Sequence, residues 1–326
     1  MGIGIKALGV YVPENRVSND DLAKIIDTSD EWITTHTGIK NRYLGRPEQA
    51  TSDLALKACE AALEKAEVTP DQINLIIAAT ASGDYPGFPA TACILQERLR
   101  AKTAGAMDLG AGCSGFIYAL EVARCMIAAG TYSKILIVGA EMLSRIVDWS
   151  DRDTCVLFGD GAGAAVVQEL PGDSGIIRSI LRSDGRGAEY LKRTAGGSRF
   201  PYKPGTTEAK DFCISMDGRK VYNFAVGANC DLIELFLKTP GIDIDKIKYI
   251  VPHQANIRII QAAAKRLKLP EEKFYVNIEE YANTSAASIP LALAEMEAKG
   301  LLNRGDLILT IGFGAGLTYG GNLIKW

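Results

Sequence analysis

Cys113 follows a short apolar stretch, Met107-Asp108-Leu109, and a turn of small residues, Gly110-Ala111-Gly112, and it opens a long helical pattern. A helix start carries unpaired N–H groups and the positive end of the backbone dipole. Both favour a thiolate over a thiol, and the thiolate is the nucleophilic form of cysteine. The setting suits covalent catalysis. A small buried hydrophobe is the other reading of a cysteine, and local context leaves both open. Cys59, Cys93, Cys125, Cys155, Cys213 and Cys230 fall in helical or apolar runs and read as packing residues.

A cysteine nucleophile needs a partner and a place for the oxyanion. The chain has two histidines, His36 and His253. His253 stands in Val251-Pro252-His253-Gln254-Ala255-Asn256, just after a strand that Pro252 ends. Open α/β sheets bind their ligands at that end of a strand. The position, together with a cysteine partner, favours a catalytic His253 over a structural one. Asn283 stands in Tyr281-Ala282-Asn283-Thr284-Ser285-Ala286-Ala287-Ser288, where a plain helix N-cap is the alternative to a site residue. The glycine-rich run Ile311-Gly312-Phe313-Gly314-Ala315-Gly316-Leu317 lacks the Lys-Ser/Thr of a phosphate loop. Its amides could complete an oxyanion hole, and a tight turn between strands is the other reading.

The elements that must position these residues alternate between strand and helix, which defines an α/β fold. Residues 3–12, 73–79, 103–109 and 134–139 read as strands, and residues 50–66 as a helix. Ser18-Asn19-Asp20-Asp21 reads as a capping box. The helix after Cys113 should run to Ala129 and end at Gly130. Residues 184–211 form a Gly/Arg/Pro-rich stretch without periodicity, a candidate surface or active-site flap.

Composition narrows the function classes. A chain of 326 residues, 47% hydrophobic and 23% charged, suits a soluble globular protein of one large domain or two fused halves. The net charge of −3 implies no strong pull toward nucleic acid or an anionic membrane. Seven cysteines without a C-x-x-C pair argue against a disulfide framework or a cysteine zinc site, and no metal is expected. Reduced thiols suit the cytoplasm. Neither a signal peptide nor a membrane span is expected.

The second half repeats the first. Asp71 to Ile77 matches Asp245 to Val251 in polarity. Helix 114–129, Gly130 and strand 134–139 match helix 284–299, Gly300 and strand 306–312. Aligning Gly130 with Gly300 carries Cys113 onto Asn283, so two related helix starts could face one site. The halves divide as 1–172, with Cys113, and 173–326, with His253 and Asn283.

Taken together, Gly112-Cys113-Ser114-Gly115, Pro252-His253-Gln254-Ala255-Asn256 and Asn283-Thr284-Ser285-Ala286-Ala287-Ser288 resemble the 3-oxoacyl-[acyl-carrier-protein] synthase III family. So do Asp148-Trp149, Phe158-Gly159-Asp160-Gly161-Ala162-Gly163 and the terminal glycine-rich loop, and the resemblance runs from Ile3 to Trp326. It implies a thiolase-like fold, two similar halves in a five-layered α/β/α/β/α sandwich, usually as a homodimer. It also implies an initiating condensing enzyme of fatty-acid synthesis. Cys113 would take a short acyl group from acyl-coenzyme A, acetyl being the expected primer. Decarboxylative condensation with malonyl-acyl carrier protein would follow, without cofactor or metal. A same-fold synthase that primes alkylquinolone or polyketide synthesis is the second reading, and a non-catalytic acyl-carrier-binding protein a third.

The resemblance also implies roles. His253 and Asn283 would hold the malonyl thioester oxygen, and the amides of Cys113 and Ala315 the oxyanion. Trp32 and Arg152 would sandwich the coenzyme A adenine, with Asn256 and Arg258 near the pantetheine arm. His36 stands where Arg is common, which weakens that contact. Phe88 would reach a partner subunit's acyl pocket, and Phe313 is grouped with that pocket. Gln254, Ala255, Asn256, Ile257, Arg258, Lys265 and Arg266 would meet the acidic carrier protein. Asn223 stands where a Lys often adds to that patch. The thiolases proper have a second cysteine where this chain has Phe313. The glutamate base of related 3-hydroxy-3-methylglutaryl-coenzyme A synthases has no comparable motif here, which leaves only a residue such as Glu141 open.

Overall fold

The computed structural model describes residues 2–326. In chain order its principal elements are β1 (Gly2–Tyr11), α1 (Asp30–Thr37), α2 (Thr51–Ala66), β2 (Leu75–Ala79), α3 (Thr91–Arg98), β3 (Gly105–Leu109), α4 (Gly115–Ala128) and β4 (Lys134–Glu141). There follow β5 (Gly161–Leu170), β6 (Gly175–Ser183), α5 (Gly218–Leu237), β7 (Ile247–Pro252), α6 (Ile257–Leu267), α7 (Ser288–Ala298), β8 (Leu307–Gly314) and β9 (Thr318–Lys325). Unbroken apolar runs such as Ile135 to Val138 form strands buried on both faces, as a sheet covered on both sides requires.

The strands form a sheet of order β1-β5-β4-β2-β3 and a second of order β7-β8-β9-β6. In the first, β1 and β4 each run antiparallel to β5, while β4, β2 and β3 run parallel. In the second, β6 and β8 each run antiparallel to β9, and β8 runs parallel to β7. A parallel bridge from Ile250 to Phe274 stands where a fifth strand would be. The two sheets therefore repeat one pairing pattern. The first draws on residues up to Leu170 and the second begins at Gly175.

Helices α2 and α3 cover the outer face of the first sheet, and α5, backed by α6, covers the second. Between the sheets lie α4 and α7, which touch both. A helix held between two sheets must be apolar nearly all round. Phe116, Ile117, Leu120 and Ala123 of α4 and Ile289, Ala292, Leu293 and Met296 of α7 are accordingly buried. Helix α6 is amphipathic instead: Ile259, Ile260, Ala263 and Ala264 face inward, and Arg258, Lys265 and Arg266 are exposed. The result is the α/β/α/β/α sandwich.

Two expectations need correction. The second-half helix begins at Ser288, not Thr284, after a single 3-10 turn over Ser285–Ala287. Helices α4 and α7 start at Gly115 and Ser288, 173 positions apart, but end at Ala128 and Ala298, 170 apart. At the helix starts Cys113 therefore pairs with Ala286. Asn283 belongs to an irregular lead-in, where Ala282 and Ser285 both take positive φ. The cysteines also divide: Cys59, Cys155 and Cys230 are buried and Cys213 is half-buried, whereas Cys93 and Cys125 are exposed rather than in the core.

Candidate active site

Cys113 lies in a 3-10 turn, Gly112–Ser114, that leads into α4. The hydroxyls of Ser114 and Thr318 lie 2.8 Å apart, and both reach the Ala111 carbonyl, which ties this turn to β9. The terminal glycine-rich loop presses directly on it. A Cβ at Gly314 would lie 2.5 Å from the Cys113 nitrogen, and one at Gly112 would lie 2.8 Å from the Ala315 nitrogen. Only glycine permits this approach, which brings the amides of Cys113 and Ala315 together.

Cys113 stands where two spaces meet. One is a cavity of about 490 Å³, whose walls include Trp32, His36, Cys113, His253, Asn256 and Asn283. The other is an apolar chamber of about 230 Å³, walled by Cys113, Leu143, Ile146, Phe158, Leu191, Ile214, Ser285 and Ala315. Burial of the sulfur pushes the thiol up to about 12. Burial thus opposes the thiolate, while the helix start favours it.

His253 follows β7, and its backbone N–H donates to Ile311 O at 2.8 Å. The ring is buried edge-on to Phe313, with centroids 5.5 Å apart. Its Nδ1 lies 2.7 Å from Ser288 Oγ, and its Nε2 is buried without a partner. Burial lowers the imidazole to about 3, so it stays neutral at physiological pH. Asn283 is held at three points. Its N–H donates to Leu157 O at 2.9 Å, its carbonyl receives Gly159 N–H at 3.1 Å, and its Oδ1 receives Ser285 N–H at 2.9 Å. With Oδ1 engaged, the Nδ2 hydrogens are left to donate.

The remaining expected residues divide. Trp32 and His36 line the larger cavity, with their rings stacked 4.5 Å apart. The Arg152 guanidinium covers Trp32 at 4.6 Å and donates to Asp27 O at 3.0 Å. That pairing leaves no room for a base between them, so an adenine sandwich requires Arg152 to swing aside. Asn256 lines the cavity but caps α6, with Oδ1 on Arg258 N–H and Nδ2 on His36 O. Arg258 reaches Thr35 O at 3.1 Å and is exposed, as are Lys265 and Arg266. Ala255 is half-buried at the cavity, and Ile257 is half-buried against the core around Ile33.

Gln254 is a correction. It is buried, donates to Pro252 O and Tyr275 O, and receives Asn277 N–H. Every polar group of its amide is spent fixing the loop, so it has none to offer a carrier protein. Phe313 lines the larger cavity rather than the apolar chamber, because its ring packs among Val221, Ala225 and Ile259. Phe88 is 86% exposed and lines neither space. Glu141 is fully buried on Ala81 N–H, Ser82 and Thr80, and it walls neither space.

Sequence reasoning missed the chamber walls from the ribbon Leu191–Arg193 and Ile214–Met216, whose first strand lies in the stretch without periodicity and whose second follows it. It also missed Ser285 and Ser288, although both stand inside the Asn283 motif.

A doubled α/β half with a cysteine at one central helix start and a histidine and an asparagine opposite defines a condensing enzyme of the thiolase-like class. Residues 107–185 match the family 3-oxoacyl-[acyl-carrier-protein (ACP)] synthase III, and residues 237–326 match its C-terminal part. The chain is 50% identical to the beta-ketoacyl-[acyl-carrier-protein] synthase III of Caldanaerobacter subterraneus subsp. tengcongensis, over 99% of this chain and 97% of that protein. It is 49% identical to the synthase III of Clostridium acetobutylicum, over 99% and 98%. The crystal structure of the 3-oxoacyl-[acyl-carrier-protein] synthase III from Aquifex aeolicus superposes with a TM-score of 0.91 at 43% identity, covering all of both chains. The chain belongs to the 3-oxoacyl-[acyl-carrier-protein] synthase III family, and it is an acyltransferase that initiates fatty-acid synthesis by condensation.

Proposed function

We propose that Cys113 is the acyl acceptor and that the reaction divides between the two cavities that meet at its sulfur. In the first stage the sulfur attacks the thioester carbonyl of a short acyl-coenzyme A. The carbon–sulfur bond to coenzyme A breaks, and the Cys113 proton ends on the departing thiol. The amides of Cys113 and Ala315 hold the tetrahedral oxyanion. The developing charge also meets the positive end of α4, which offsets the burial that opposes a free thiolate.

In the second stage malonyl-acyl carrier protein replaces coenzyme A. His253 Nε2–H and Asn283 Nδ2–H donate to its thioester oxygen. Loss of CO2 leaves an enolate, whose carbon attacks the acyl-Cys113 carbonyl. The products are 3-oxoacyl-carrier protein and Cys113, whose thiolate regains a proton from solvent. A neutral His253 suits this task, because the enolate oxygen needs a donor and decarboxylation needs no base.

The observation that carries this reading is Cys113 at the junction of an entrance cavity of mixed polar and apolar lining and an apolar chamber of about 230 Å³. The chamber suits a short primer. Acetyl-, isobutyryl- and octanoyl-coenzyme A offered together with malonyl-carrier protein test it. The short acyl groups should dominate the product, and preferential use of octanoyl would overturn the assignment.

The reading extends to the partners. Exposed Arg258, Lys265 and Arg266 on α6 offer an acidic carrier protein a basic face beside the entrance. A second copy would cover exposed Phe88 and the open edge of β3, and the enzyme then works as a homodimer in the cytoplasm, without metal or cofactor. Among the described residues, no helix is long and apolar enough to cross a membrane.

A further inference from the structure

Ser288 is buried at the start of α7, and the two-stage reaction gives it no task. Its hydroxyl oxygen lies 2.7 Å from His253 Nδ1 and receives the Gln254 N–H at 3.4 Å. Among the described residues, no other group bonds to it. On the far side of the ring, His253 Nε2 is buried and unpartnered, on a side chain that lines the entrance cavity.

A neutral imidazole carries its hydrogen on one nitrogen only. If Nδ1 carried it, Ser288 Oγ would accept from both His253 and Gln254. The hydroxyl hydrogen would then be buried with no acceptor, at the full cost of an unmade bond. If Nε2 carries it, the hydroxyl donates to Nδ1 and accepts from Gln254, and every hydrogen on that side of the ring is used. Gln254 cannot drift, because its own amide is anchored on Pro252 O, Tyr275 O and Asn277 N–H.

We propose that Ser288 is a positioning residue that locks His253 in the Nε2–H tautomer, so that His253 can only donate into the cavity. Asn283 is treated in the same way five residues before Ser288. There the Ser285 N–H occupies Oδ1 and leaves only donors free. The two serines thus consume the acceptor of each catalytic group. Both His253 and Asn283 then present N–H alone to the same oxygen, and neither can rotate to repel an enolate. This inference rests on His253 acting as a donor in the second stage.

Nuclear magnetic resonance of isotope-labelled histidine tests it directly. The chain has only two imidazoles, and His36→Gln assigns them. The wild-type His253 signal should show hydrogen on Nε2 and a bare Nδ1. Ser288→Ala should give mixed tautomers and slow CO2 release by about tenfold or more, with acylation of Cys113 kept within about twofold. Ser288→Thr, which keeps the hydroxyl, should restore both. Hydrogen on Nδ1 in the wild-type protein overturns the proposal, whether or not any variant folds. So does an unchanged tautomer and CO2 release in Ser288→Ala. If His253→Ala stops CO2 release while Ser288→Ala does not, the donor role of His253 stands and the role of Ser288 falls.

Discussion

The two central helices, α4 and α7, occupy matching places between the sheets, yet their lead-ins differ. The turn before α4 is short and glycine-bounded, and it delivers Cys113 to the meeting point of two cavities. The lead-in to α7 is three residues longer and bends through positive φ at Ala282 and Ser285. It is pinned to residues 157–159, which come from the first half. On the proposed reading, one half supplies a nucleophile on a tight turn. On the same reading, the other supplies neutral donors, oriented by backbone and serine. Duplication provides the frame, and a small local irregularity divides the labour.

The largest effect should come from removing the nucleophile. Cys113→Ala should abolish transfer of labelled acetyl from coenzyme A to the protein, and label that still attaches covalently would end the assignment. Next is the loss of a donor. Asn283→Ala should slow CO2 release by about 10²–10³-fold, the scale for one oxyanion donor, while acylation is kept. Unchanged CO2 release would break the proposed division.

The contact between the halves should matter somewhat less. Gly314→Ala sets a Cβ 2.5 Å from the Cys113 nitrogen. It should cost roughly 1–3 kcal/mol of stability and depress acylation. An unaltered melting curve and acylation rate would mean that the loop does not press on the nucleophile.

A further effect is on stability against pH. Burial lowers His253 to about 3, below its unfolded value. As pH falls from about 6.5 toward 3, the unfolded chain binds a proton that the folded chain refuses. The folded state then loses up to about 1.4 kcal/mol per pH unit from this group. His253→Asn should flatten that part of the profile, and denaturant melts between pH 4 and pH 7, a window of about 3 units, would reveal it.

Much of this was legible locally. The apolar strand, small-residue turn and helical run around Cys113 are contiguous, so the placement of that residue followed from neighbours alone. The pairing of the halves was legible as polarity, and the C-terminal glycines fixed one end of it. The other end slipped by three residues, because periodicity does not reveal a lead-in held by tertiary hydrogen bonds at Leu157 and Gly159. The chamber walls were illegible for a related reason. They come from Leu143, Ile146 and Phe158 and from a ribbon that begins in a stretch without periodicity. Motif membership misled at Gln254, since a residue beside a catalytic histidine can equally serve as its anchor.

The division of labour is the central claim, and His253→Ala tests it most directly in two assays on one preparation. Acyl transfer to Cys113 and CO2 release from malonyl-carrier protein should be timed separately. The account predicts acylation close to wild type and CO2 release reduced by about 10²-fold or more. Equal losses in both half-reactions would contradict it, because His253 would then serve the nucleophile rather than the second substrate.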